Sequence, residues 1–412
     1  MKKLQTILLL VLFSLLVTSC TDNYWDTNRY KELNASLQDL VDSTLTDYLQ
    51  KVPNYPGGIA LKVIQGKDAF FVSAGMGDSM TGDTRFRAAS CTKTFTATAI
   101  LKLYQEGKLN INALVTDTIP GSDKPYLPAT PDYAIPHKDK ITILALLKHR
   151  AGVYDVANEI IPDTIPADVP YKGLNYISYQ TDANPDHQFT FDELAGVVAE
   201  TGLFYFVPGT AYHYSNTGYT LLGEVIERVS GQSYQDYLTN EVLLPMGLSG
   251  SSLPALATDQ NIPEPYVRGY VLYDNEIYDR SAINVSMFVS EGNLITTAND
   301  MSLFINKLLN GKGVLSNHTV NGLMMNYQST GGIAAGGYGC GLSYTNNLGY
   351  GHTGAVEGYL SLMAYDPILD FTVVAFTNGW NLNDGMAGLE YQVINVLEAI
   401  SYESKTLFNG VQ

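Results

Sequence analysis

The chain has 412 residues, with 24 Lys and Arg against 41 Asp and Glu, for a net charge of −17. No basic run offsets this acidity, which excludes nucleic acid as an expected partner and by itself selects no substrate. An apolar share of 45% is enough for a sizeable core, in one large domain or two ordinary ones.

The chain opens with Lys2 and Lys3 and a short apolar run from Ile7 to Val17. A membrane-spanning helix needs about 20 apolar residues, so the run reads instead as a secretory signal over residues 1–19. It ends in Val17-Thr18-Ser19-Cys20, which resembles a bacterial lipobox. Lipidation at Cys20 is expected, with an exported protein touching the membrane through that anchor alone. The alternative is an ordinary cysteine near a conventional cleavage site. Polar residues 20–32 read as a tether. The other cysteines, Cys91 and Cys340, are too few for a disulfide framework and are expected as buried free thiols.

Leu37, Leu40, Val41, Leu45 and Leu49 give Leu33 to Leu49 a helical period. Gly58 to Gln65 and Ala69 to Gly75, divided by Gly66-Lys67-Asp68, predict a hairpin. Ser90 to Gly107 predicts a helix stopped by its glycine. Helical spacing recurs over Ile141–His149, Phe191–Thr201, Gly218–Val229, Ser233–Leu244 and Asn299–Asn310. The polar stretches Asp132–Lys140 and Val156–Pro185 are long enough to serve as lids over a cleft. Gly337–Tyr344, Leu360–Tyr365 and Phe371–Thr377 predict antiparallel strands, and Met386 to Ala399 a closing helix. Strands at both chain ends around a helical middle imply one α+β sheet assembled from both termini, with a helical lobe inserted.

Three short patterns can carry chemistry. In Ser90-Cys91-Thr92-Lys93, positions i and i+3 share a helix face, which sets Lys93 beside Ser90. A desolvated lysine can take a serine proton, and a helix start favours developing negative charge. Ser-x-x-Lys is expected about once by chance in a chain of this length, so the pattern alone decides nothing. Tyr214-Ser215-Asn216 follows a Pro-Gly turn and precedes a helix; its phenol could relay a proton and its amide orient a carbonyl. In His352-Thr353-Gly354, followed by Ala355, glycine lets a substrate backbone approach a strand. A backbone N–H there could serve an oxyanion.

Together these pieces resemble the serine β-lactamase and penicillin-binding-protein superfamily, specifically its class C-like branch with D-Ala-D-Ala carboxypeptidases and esterases. Phe86-Arg87-Ala88-Ala89-Ser90, Leu146 to Gly152, Pro208 to Gly223, Ser230-Gly231, Pro245 to Leu248 and Ser290-Glu291-Gly292-Asn293-Leu294 also look like family segments. They occur in family order over Gly58 to Trp380. The resemblance implies a β-lactamase/transpeptidase-like fold, an antiparallel sheet flanked by helices beside an all-helical lobe. The catalytic domain would span 33–405, its sheet part about 33–110 and 324–405 and its lobe about 111–323. Ser90 would be the nucleophile, Lys93 its proton partner and Tyr214 the general base or acid. Asn216, His352, Thr353 and Gly354 would bind substrate, with the N–H groups of Ser90 and Ala355 as oxyanion hole. No metal or organic cofactor is implied.

The third box departs from the branch's β-lactamases, which usually have lysine where His352 stands. Imidazole is mostly neutral at pH 7, which argues against efficient β-lactam hydrolysis; a histidine box resembles those of D-Ala-D-Ala carboxypeptidases and esterases, which implies D-amino-acid peptides or related small amides and esters as substrates. A catalytically idle lipoprotein that binds cell-wall peptides is the alternative from another class; an esterase or weak β-lactamase is the alternative within the enzymes. No glutamate context of the class A type is found. His149 reads as part of a structural turn, Cys91 as core packing, and Glu357 as either cleft-facing or solvated.

Overall fold

The computed structural model describes residues 28–331 and 336–409; the expected signal, Cys20 and most of the expected tether fall outside them. The longer helices are α1 (28–51), α2 (Thr92–Gln105), α3 (Phe191–Thr201), α4 (Asn216–Ser230), α5 (Ala298–Leu309) and α6 (Ala399–Asn409). The main sheet comprises β1 (Ile59–Gln65), β2 (Asp68–Ala74), β3 (Gln328–Ser329), β4 (Gly336–Tyr338), β5 (Ser343–Thr345), β6 (Gly349–Val356), β7 (Tyr359–Asp366) and β8 (Phe371–Thr377). Its spatial order is β2-β1-β8-β7-β6-β5-β4-β3, antiparallel throughout. The N-terminal hairpin therefore docks on the C-terminal strands, with Leu61 opposite Ala375 and Leu362 opposite Ala375 on the other side.

Successive side chains of a strand point to opposite faces, and here both faces are covered. Leu61, Val63, Leu360, Leu362, Val373 and Ala375 pack with Leu37, Val41, Val396 and Ile400 of the terminal helices. Their neighbours Met363, Val374 and Phe376 join the core shared with the helical lobe. That is why β7 and β8 read as continuous apolar runs, not alternating ones.

Helix α1 buries Leu33, Leu37, Val41, Leu45 and Tyr48, one stripe at helical spacing. It is already helical at residues 28–32, which the sequence assigned to the tether. Tyr30 accounts for this: its ring stacks on Phe70 at 4.4 Å and its hydroxyl donates to the Ala69 carbonyl. Helix α2 is buried at every position from Thr92 to Leu101. Its threonines are satisfied within the core, Thr94 donating to the Gly341 carbonyl and Thr96 to that of Ser290.

Several boundaries differ from expectation. The helix expected over 141–149 is Ile143–Leu147, started by the Thr142 side chain accepting from Ala145 N and ended at His149 with φ +55°. The Ser233–Leu244 helix divides into Tyr234–Leu238 and a wider turn over Thr239–Leu243. The strand expected over 337–344 is broken at Gly341 (φ +68°), where an added Cβ would meet Ala97 Cβ at 2.4 Å. Helix α5, placed by sequence in the inserted lobe, packs on the sheet instead, with Asn306 donating to Thr372 of β8. Two small sheets were not foreseen: Arg85–Arg87 with Ile295–Thr297, and Tyr270–Tyr273 with Glu276–Asp279 and Gly379–Asn381. The stretch 132–140 packs against α3 and lines no part of the cleft described below, so it is not a lid. The stretch 156–185 contains the helix Tyr176–Ala183 and lends Asn158 to the cleft.

Phe95 of α2 stacks on Phe304 of α5 at 3.6 Å, both fully buried. Phe95→Ala should destabilise the fold by about 3–5 kcal/mol, read as a lowered urea midpoint with unchanged slope.

Candidate active site

The turn Ala89–Cys91 leads directly into α2 and carries Ser90 half-buried at its mouth. Ala89 holds φ +48°, unfavourable for a residue with a Cβ. Neighbours fix it: Ala88 N donates to Leu294 O, Ser361 Oγ donates to Ala88 O, and Leu294 N donates to Thr92 Oγ1. Backbone strain of this kind persists only where surroundings over-determine it, and it clusters at functional sites. Cys91 is fully buried, its thiol on the His352 carbonyl at 3.3 Å, and burial pushes it up to about 12. Both Cys91 and Cys340 are free and buried.

Lys93 is wholly buried one turn above Ser90. Its Nζ donates to Ser90 Oγ at 3.2 Å, to the Glu291 carbonyl at 2.9 Å and to Glu291 Oε2 at 3.1 Å. Burial drives the amine below the usual lysine range, and Glu291 opposes that shift. The same burial raises the Glu291 carboxyl to about 7 despite the lysine beside it. For both partners desolvation outweighs mutual attraction, as expected of a buried pair. In the sequence Glu291 stands out only as part of the family-like segment Ser290 to Leu294. Its signal is non-local, because the Arg85–Arg87 and Ile295–Thr297 pairing delivers its loop to the nucleophile.

Tyr214 precedes α4, whose first turn is capped by the Ser215 side chain accepting from Gly218 N. Lys93 Nζ sits 4.9 Å from the Tyr214 ring centroid. Burial pushes the phenol well above its ordinary value, with the Ser90 side chain acting in the other direction. The phenol therefore keeps its proton at neutral pH. Asn216 is buried, its N–H donating to Asp155 Oδ2 at 3.1 Å. His149, left-handed at φ +55°, accepts from Ser215 N on Nδ1 and lies 4.2 Å from the Tyr214 ring. It positions the tyrosine, in keeping with a structural turn. Tyr219 and Tyr338 pack on the same imidazole, so these tyrosines build the wall behind Tyr214.

His352, Thr353, Gly354 and Ala355 lie on β6, paired with β7. His352 Nδ1 contacts the Thr353 carbonyl at 2.6 Å, and Nε2 contacts the Tyr338 hydroxyl at 2.9 Å. A carbonyl can only accept, so Nδ1 carries the proton and Nε2 accepts from the phenol. Burial and Lys93 lower the imidazole to about 3, which leaves it neutral. A Cβ on Gly354 would lie 2.2 Å from the Ala88 carbonyl and 3.0 Å from Ser90 N, so only glycine allows this close approach. Glu357 is exposed on the turn after β6 and pairs with Arg280 at 3.3 Å, away from the cleft.

These elements enclose a cleft of about 670 Å³. Ser90, Tyr214, Asn216, Glu291, Thr353 and Ala355 line its polar part, and Phe288, Trp380, Leu389 and Val393 its apolar part. No Lys or Arg is among the described residues lining it, since Lys93 lies behind Ser90. No cluster of His, Cys, Asp and Glu suited to a metal ion occurs among the described residues.

A sequence profile described as Beta-lactamase matches residues 45–398. The chain belongs to the beta-lactamase family. Its fold is the β-lactamase/transpeptidase-like one, within a superfamily of serine hydrolases. Among family relatives, penicillin-binding protein 4 of Amycolatopsis lactamdurans is 27% identical over 369 residues, covering 84% of this chain and 85% of that protein. Protein flp of Staphylococcus aureus is 31% identical over 223 residues, 52% of this chain but 38% of that longer protein. The D-amino acid amidase of Ochrobactrum anthropi SV3 superposes with TM-score 0.70 at 21% identity, covering 92% of this chain and 100% of that one. A D-stereospecific amidohydrolase from a Streptomyces species gives 0.68 at 24% identity, covering 87% and 98%. At these identities the structural likeness is one of fold.

Gly354→Ala should lower turnover of an activated ester at least about 10²-fold, the worth of a disturbed oxyanion donor, while the circular dichroism spectrum stays that of wild type.

Proposed function

We propose that the chain is a serine hydrolase of the class C-like branch that forms an acyl-enzyme on Ser90. Its substrates are D-amino-acid peptides of the cell wall, as for D-Ala-D-Ala carboxypeptidases, or related small amides and esters. The Ser90–Lys93 contact carries this reading: a buried amine, lowered by desolvation, lies 3.2 Å from a serine hydroxyl. That is the arrangement nucleophilic catalysis requires. Lys93 takes the Ser90 proton as Oγ attacks the carbonyl carbon. The N–H groups of Ser90 and Ala355 hold the oxyanion, and Tyr214 delivers a proton to the leaving group.

The histidine in the third box supports substrates of the carboxypeptidase and esterase type over β-lactams, and a described cleft with no fixed cation favours uncharged amides and esters among them. The names of two relatives in fold, a D-amino acid amidase and a D-stereospecific amidohydrolase, point the same way. Export with a lipid on Cys20 completes the proposal; among the described residues no helix is long and apolar enough to cross a membrane.

The test compares wild type with Ser90→Ala, both lacking residues 1–20, on a D-Ala-D-Ala peptide, an aryl ester and a chromogenic cephalosporin. Ser90→Ala should cost at least about 10³-fold in turnover, with the cephalosporin the poorest of the three substrates. Retention of most activity would sink the mechanism. In cells, Cys20→Ser should move the protein from the membrane to the soluble fraction, and unchanged membrane retention would refute the anchor.

A further inference from the structure

The start of α1 and the turns at one end of the main sheet lie together. Tyr30 stacks on Phe70, and its hydroxyl donates to the Ala69 carbonyl beside the β1–β2 turn. Gln65, at that turn, pairs with Phe371, which follows the β7–β8 turn. Phe408 of α6 packs on both Phe70 and Phe371, at ring distances of 5.6 and 5.7 Å. Two strand spacings, about 10 Å, thus separate Ala69 from the β7–β8 turn.

That turn presents Pro367 and Ile368 to the outside. Ile368 is 90% exposed, more than any other large apolar side chain among the described residues. A lone exposed isoleucine is ordinary, and here its place carries the argument. Helix α1 begins at the same end of the sheet, and from Cys20 to Asn28 is eight peptide steps, about 28 Å at full extension. Tyr24 and Trp25 fall within that span, and both residue types favour the boundary between headgroups and acyl chains. Arg29 and Lys31 are exposed beside Glu32, a net positive start for α1 on a chain of net charge −17, and cations suit lipid phosphates. The acids of the β7–β8 turn are engaged inward. Asp366 pairs with Lys405 at 2.5 Å, and Asp370 accepts from Tyr365 and Asn310.

The cleft stands at the other end of the same strands. Ser361 of β7 pairs with Gly354 and donates to the Ala88 carbonyl, whereas Asp366 ends that strand at the turn. At about 3.4 Å per residue, the strand rises about 17 Å between Ser361 and Asp366.

We propose that the sheet end carrying Tyr30 and Ile368 is the face that rests on the anchoring bilayer, with the catalytic cleft at the end turned away from it. The inference rests on the lipidation of Cys20. Lipid chains fix the protein to the membrane without orienting it, and a second contact supplies the orientation. Ile368 enters the boundary layer, with Pro367 and the Tyr30 ring at its surface. With Trp25 seated at the same boundary, three peptide steps, about 11 Å, remain to Asn28, which limits tumbling. Substrate then reaches Ser90 from the aqueous side.

The test uses the full chain, lipidated at Cys20 and reconstituted in vesicles of phosphatidylethanolamine and phosphatidylglycerol. An environment-sensitive fluorophore is placed on Ile368→Cys or on Ile160→Cys; Ile160 is 59% exposed and close in sequence to Asn158 of the cleft. Cys91 and Cys340 are buried and escape the label. At 368 the emission should shift to the blue, and brominated acyl chains should quench it at least about twofold, because an interfacial side chain sits about 5–10 Å into the lipid. At 160 neither should occur. Retention on vesicles with water-like emission at 368, or with quenching at 160, overturns the proposal and leaves the anchor standing. Without any label, the unsubstituted protein on vesicles should exchange the amides of residues 366–370 more slowly than the chain lacking residues 1–20 in solution; equal rates overturn the proposal too. Blue-shifted emission at 368 in that shorter chain without vesicles assigns the face to a second copy and also overturns it. Absence of acyl chains on Cys20 by mass, with no retention on vesicles, removes the anchor reading and the proposal with it.

Discussion

The site depends on one costly act, the complete burial of Lys93. An ammonium removed from water is stable only if paired and hydrogen-bonded, and a buried amine left unpaired tends to lose its proton. Both tendencies operate here. Burial drives the amine down, while Glu291 acts from the other side, so desolvation and pairing pull the same proton in opposite directions. Helix α2 makes this possible because it is buried on all sides; on a surface helix the same lysine would stay solvated, protonated and unable to accept from serine. The rest of the architecture can be read as the means of keeping that helix dry.

Enclosing α2 takes segments far apart in the chain. Strand β6 closes over the Ser90 turn through Gly354, the Ser290–Leu294 loop is pinned by Ala88 and Thr92, and Ser361 of β7 bonds to the Ala88 carbonyl. These contacts hold Ala89 at positive φ, which presents Ser90 to the cleft while Lys93 stays beneath it. Geometry held by so many non-local contacts is rigid, which is what catalytic groups placed within hydrogen-bond reach require.

What could be read from sequence follows from how local each determinant is. The hairpin of β1 and β2 was legible from Gly66-Lys67 and its flanking apolar runs, and α3 from its helical spacing over Phe191–Thr201. Ser90 and Lys93 were legible because three residues on a helix fix their relation. Helix α2 looked half-polar, yet Thr94 and Thr96 are buried and satisfied by carbonyls from other segments. Glu291 was invisible as a partner of Lys93, since no spacing links two residues joined only by the fold. The tautomer of His352 was equally hidden, because it is fixed by the Thr353 carbonyl on Nδ1 and by the hydroxyl of Tyr338, which reaches Nε2 from β4. Strand β3 and the sheet holding Gly379–Asn381 are too short to carry a period of their own.

The charge layout of the cleft follows from the same burial. Lys93 and Glu291 neutralise one another behind the nucleophile, and His352 is held uncharged by burial and by Lys93. The described wall thus offers incoming substrate neutral polar groups, chiefly Thr353 and Asn216, and an apolar end formed by Phe288, Trp380 and Leu389. An anionic substrate would leave water for a site with no free cation along that wall, and desolvation of its charge would go largely uncompensated. A neutral amide or ester bears no such cost, and its apolar side chain gains from the Trp380 end. Discrimination at this site therefore comes from what the cleft lacks in fixed positive charge as much as from what it touches.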